Sequence, residues 1–142
     1  MKTDAHIAQV STTVNAPASE IWKALITPET IKQYMFGAAV TSTFKVGSPI
    51  TWRGEFKGRP FEDKGKILEV EPGHRLRYSH FSPLSGERDT PENYHTVTIE
   101  LSEQAGATRV SLKQDNNSDE KAREHSEQNW RAVLEGLKKA VE

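Results

Sequence analysis

The chain has 142 residues, of which 35% are hydrophobic and 27% charged, a length and mixture that suit one domain and lie well outside the disordered class. With 19 basic against 20 acidic side chains the net charge is −1, so no field exists to gather phosphates or anionic lipid, and a nucleic-acid partner is excluded. Zero cysteines exclude disulfides, thiolate zinc sites and thiol nucleophiles, and with no signal-type apolar segment and no run of about 18 apolar residues the expectation is a cytoplasmic protein without membrane insertion.

From Ala8 to Val14, apolar or small residues alternate with polar ones, the period of a half-buried strand, which Asn15 and Pro17 end. A helix opens at Ala18, with Ile21, Trp22, Leu25 and Ile26 at spacings of three and four and Pro17 near its first turn, where a missing N–H does no harm. Pro28 stops it. A second short helix, Glu29 to Tyr34, is expected to present Ile31, Tyr34 and Met35 inward.

After Gly37 the pattern is of strands divided by turns. Ile50, Trp52, Gly54 and Phe56 share one face, and Lys57-Gly58-Arg59-Pro60 reads as a connection to a strand running from Phe61 to Val70. The adjacent pair Ile67-Leu68 breaks the alternation there, and a bulge would let both be buried. Beyond the turn at Glu71-Pro72-Gly73-His74 come Leu76, Tyr78 and His80 on one face; beyond the polar stretch Ser82 to Glu92 come His95, Val97, Ile99 and Leu101; and a last strand carries Val110 and Leu112. Asn117-Ser118-Asp119 supplies cap residues for a long amphipathic helix whose stripe is Ala122, Ser126, Trp130, Val133, Leu134, Leu137 and Val141. Strand, two short helices, about six strands and a long terminal helix describe an α+β domain, helices on one face of a curved antiparallel sheet.

Three stretches carry a resemblance. Val14-Asn15-Ala16-Pro17-Ala18-Ser19-Glu20-Ile21-Trp22-Lys23-Ala24-Leu25 with Pro28 resembles the opening of START-like SRPBCC domains. Gly65-Lys66-Ile67-Leu68-Glu69-Val70-Glu71-Pro72-Gly73-His74-Arg75-Leu76, with the segment Trp130 to Leu137, is similar to the AHSA branch, homologues of the activator of the ninety-kilodalton heat-shock-protein ATPase. The resemblance spans almost the whole of residues 1–142 and implies one START-like SRPBCC domain of helix-grip fold. In that fold a sheet of six to seven strands wraps a C-terminal helix and leaves a cavity for hydrophobic or amphipathic small molecules.

No phosphate-binding Gly-rich loop, His-Glu-x-x-His or Gly-x-Ser-x-Gly is present, and no cofactor or metal is expected. His6, His74 and His125 sit in polar surroundings and read as solvated. His80 and His95 follow the core parity of their strands, so as hairpin partners they would point to the inner face together. There they could line a polar mouth, hydrogen-bond a ligand, hold a metal or share acid–base work. Asp63, in parity with Phe61 and Gly65, either faces inward or is turned to water. The expected wall of a ligand cavity is Trp52, Phe56, Tyr78, His80 and His95 from the sheet with Trp130, Val133 and Leu134 from the terminal helix. The leading expectation is therefore a small hydrophobic molecule as partner. The alternatives are an enzyme of the polyketide cyclase or dehydratase type, using His80, His95 or Tyr78 on a cavity-bound carbonyl compound, and an adaptor that contacts a chaperone.

Overall fold

Seven antiparallel strands form one sheet in the order β1-β7-β6-β5-β4-β3-β2 in a computed structural model of the chain, which describes residues 6–142 apart from the side chain of Phe56. In chain order the elements are β1 (Ala8–Val14), α1 (Ala18–Ile26), α2 (Pro28–Tyr34), β2 (Ala39–Thr41), β3 (Pro49–Phe56), β4 (Arg59–Glu71), β5 (Arg75–His80), β6 (His95–Gln104), β7 (Ala107–Gln114) and α3 (Glu120–Val141). The α+β helix-grip arrangement is thus the one observed. The buried residues of sheet and helices, from Val14 and Ile21 to Leu112 and Leu137, form one cluster. Among the described residues no helix is long and apolar enough to cross a membrane.

Two local expectations need correction. The connection between β3 and β4 is only Lys57-Gly58, both at positive φ (51° and 78°), the two-residue hairpin turn whose twist matches its strands. Arg59 and Pro60 are already paired with Phe56 and Glu55. Pro60 is tolerated because its other side is open: the pairing of β4 with the chain that follows β5 begins only at Lys64, opposite Phe81. The bulge does fall after Ile67, where the register slips between Ile67 and Glu69, but it buries Ile67 alone. The additional residue, Leu68, turns outward and is 40% exposed.

Strand β1 is an edge, and α3 covers its unpaired backbone. The amides of Gln9 and Asn15 donate to the carboxylates of Glu127 (3.1 Å) and Glu142 (2.8 Å), while Lys138 Nζ donates to the Thr13 carbonyl at 2.8 Å. These bonds occupy groups that would otherwise template pairing with another chain. The Gln9 amide, and after it the Arg123 guanidinium, hold the Glu127 carboxyl below the usual carboxylate range.

Helix α3 starts where Asp119 accepts the Ala122 amide at 2.8 Å. Asp119→Ala is expected to cost about 1 kcal/mol, read as a lower denaturant midpoint at unchanged slope. An unchanged midpoint would show that the cap contributes nothing.

Candidate functional site

Alternate residues of β5 face the helices, so Tyr78 and His80 stand side by side on the concave surface. Strand β3 brings Trp52 between them: its ring centroid is 5.2 Å from that of Tyr78 and 5.1 Å from that of His80. Helix α3 adds Trp130, fixed by an indole N–H that donates to Gln114 Oε1 at 2.6 Å. Phe61 and Asp63 come from β4, and Met35 from the end of α2.

The space behind these groups is divided in two. A deep void of about 30 Å³ lies among Leu25, Ile31, Leu112, Val133, Leu134 and Leu137, scarcely more than water needs. A second cavity of about 640 Å³ opens to solvent and is walled by Met35, Trp52, Phe61, Tyr78, His80 and Trp130. Phe36, 71% exposed, and Leu84 stand at its rim. Phe36 has φ 55° and the following Gly37 φ 79°, a left-handed pair that turns the chain sharply out of α2. The segment carrying Ser82 and Leu84 is pinned across the sheet by Asp89. This carboxylate pairs with Lys64 and accepts from the Tyr94 hydroxyl at 2.6 Å, and those two partners, in that order, hold it below the usual carboxylate range.

Of the residues expected at a ligand wall, Trp52, Tyr78, His80 and Trp130 line the larger cavity. Val133 and Leu134 do not: both are buried and face only the deep void. The reason is how closely α2 approaches α3. A Cβ built on Gly136 would sit 2.9 Å from the Tyr34 Cβ, so the missing side chain lets Tyr34 fill the space, its hydroxyl donating to the Ala24 carbonyl at 2.8 Å. The side chain of Phe56 lies outside the described residues. His95 is directly opposite His80 in the register, with ring centroids 6.2 Å apart, but it is absent from both walls. Its Nδ1 donates to the Asp115 carbonyl at 2.9 Å. Among the described residues no group of three or more His, Cys, Asp or Glu is placed to hold a metal ion.

Asp63 is where the structure adds most. Its side chain is turned inward and 15% exposed, with Oδ2 2.9 Å from His80 Nε2. Its Oδ1 is buried and has no hydrogen-bond partner among the described residues. A carboxylate only accepts, so this contact places the ring proton of His80 on Nε2 and leaves Nδ1 as the atom free to act. Asp63 is paired across the strands with Trp52, which ties parity to the site. Met35, expected inward at the end of α2, and Phe61, in parity with Asp63, also belong to the wall, although neither was among the residues expected there.

Residues 15–142 match the family described as activator of Hsp90 ATPase homolog 1-like protein. A protein of Cytophaga hutchinsonii with a known solution structure is 56% identical, with a TM-score of 0.82 over 94% of this chain and 91% of that one. The Aha1 dimer of Colwellia psychrerythraea shares the fold at 20% identity and a TM-score of 0.73, covering 96% of each chain. CalU16 of Micromonospora echinospora shares it at 21% identity and a TM-score of 0.73, over 94% of this chain and 74% of that one. No curated protein matches the sequence.

Proposed function

The chain belongs to the activator of Hsp90 ATPase homolog 1-like family, and from that membership we propose that it binds a hydrophobic or amphipathic small molecule. The observation that carries this reading is the cavity of about 640 Å³, a size suited to a drug-sized compound, whose wall includes the aromatic rings of Trp52, Phe61, Tyr78 and Trp130 alongside the polar pair Asp63 and His80. Shape and burial supply the affinity. The two indoles and Tyr78 offer rigid faces for an apolar or planar body, and Phe36 and Leu84 extend the apolar surface around the entrance.

Fatty acids, sterols, flavonoids and aromatic polyketides make a suitable screening panel. A compound present at 100 times its Kd should stabilise the fold by about 2.7 kcal/mol, visible as a higher melting temperature. Trp52→Leu should weaken it about tenfold, since an aromatic contact contributes on the order of 1 kcal/mol beyond its area. If no class raises the melting temperature or perturbs the NMR signals of Trp52 and Trp130, the cavity is not a ligand site.

A further inference from the structure

We propose that the cavity is a proton-transfer site, in which His80, oriented by Asp63, removes a proton from the carbon next to a ketone while the Tyr78 hydroxyl holds the ketone oxygen. The inference rests on the reading of the cavity as a ligand site and adds a reaction to it.

Three observations carry it. The Asp63 carboxylate, 2.9 Å from His80 Nε2, fixes the imidazole tautomer and its orientation, the role an acid plays behind a catalytic histidine. With Nε2 occupied, the lone pair of Nδ1 is the basic atom on the side chain, which is 27% exposed and lines the cavity. Tyr78 is 5% exposed and is on the same wall two residues away on β5, and its hydroxyl makes no hydrogen bond among the described residues. Burial raises its pKa, so it stays protonated and able to donate. A hydroxyl left free to donate beside a base is placed to stabilise an oxyanion. The Trp52 ring touches both side chains and offers a flat surface against which a substrate lies between them.

The step balances without any further reagent. His80 Nδ1 takes the proton, the C–H electron pair becomes the C=C bond, and the carbonyl π pair moves to oxygen, where it accepts from Tyr78 Oη–H. The imidazolium then returns a proton to carbon. Because the imidazolium proton exchanges with water before one is returned, the net reaction is exchange of the proton beside the carbonyl with solvent or, where the enolate is conjugated and the proton is returned to its far carbon, a shift of the double bond. His80 and Tyr78 are the catalytic residues. Asp63 is a positioning residue, acting only through His80.

The test is deuterium incorporation into β-tetralone in heavy water, followed by proton NMR, with binding monitored on the indole signals of Trp52 and Trp130. The wild-type protein should exchange the protons beside the carbonyl roughly 10² to 10⁴ times faster than buffer. His80→Gln should fall to the buffer rate and Tyr78→Phe should lose roughly 10²-fold, both with the compound still bound. Asp63→Asn should lower the saturating rate, leave the half-saturating concentration unchanged, and abolish the Nε2–H preference in the nitrogen shifts of the His80 ring, because an amide can also donate to Nε2. If β-tetralone binds but exchanges at the buffer rate, or exchanges as fast in His80→Gln, the base is overturned and the binding site stands. Absence of binding by β-tetralone and by every class of the panel overturns both.

Discussion

Ending the chain before Trp130 is expected to abolish the cooperative thermal transition and leave an expanded species that binds hydrophobic dyes. The truncation removes Val133, Leu134 and Leu137, all buried, and at roughly 1.5–3 kcal/mol for each side chain the loss rivals the net stability of a typical domain, about 5–15 kcal/mol. It also exposes what they cover: Ile21, Leu25 and Ile31 of the short helices and Leu76, Ile99 and Leu112 of the sheet share the same buried cluster. The edge strand loses two further supports, the bonds donated by the Asn15 amide to Glu142 and by Lys138 to the Thr13 carbonyl. Leu137→Ala is the milder companion, expected to cost about 2–5 kcal/mol while keeping a two-state transition. A truncated protein that melts cooperatively at the original temperature would mean the sheet holds its shape without the helix.

Strand parity and helix stripes were legible because they are one-dimensional. Alternation along Ala8–Val14 gives β1 its bounds, and the common parity of His80 with Tyr78 and of His95 with Val97 is enough to set the two histidines opposite one another once β5 and β6 pair. The volume enclosed by those faces is a different kind of quantity. Val133 and Leu134 face inward as their stripe requires, yet whether they meet a ligand or a neighbour depends on α2, and that depends on one absent side chain at Gly136. The three-residue β2 was too short for alternation to reveal. Asp63 shows the same limit in polar form. Its parity allowed both an inward and an outward position, and only the meeting of β4 with β5 supplies the imidazole that makes the inward one favourable.

That meeting depends on Gly65, and Gly65→Ala is expected to lower Tm by about 10 °C and to disturb the site with it. A Cβ at this position would stand 1.7 Å from the Ser79 carbonyl oxygen and 3.3 Å from the His80 amide nitrogen, so strand backbone, not a flexible side chain, would have to give way. The regular ladder is already interrupted here. Lys64 and Phe81 exchange backbone bonds on one side and Ile67 pairs with Tyr78 on the other, while the Lys66 amide between them donates to the Ser79 hydroxyl at 3.0 Å. Forcing the strands apart should break that bond and cost about 3 kcal/mol, the upper end of the range for overpacking. Because Asp63 lies two residues before Gly65 and His80 directly follows Ser79, the same displacement should lengthen the contact between Asp63 and His80. Nitrogen NMR of the His80 ring should therefore show a loss of the Nε2–H tautomer in the variant, measured below its melting transition. A Gly65→Ala protein with an unchanged Tm and an unchanged His80 spectrum would refute the close approach and, with it, the idea that this glycine seats the pair.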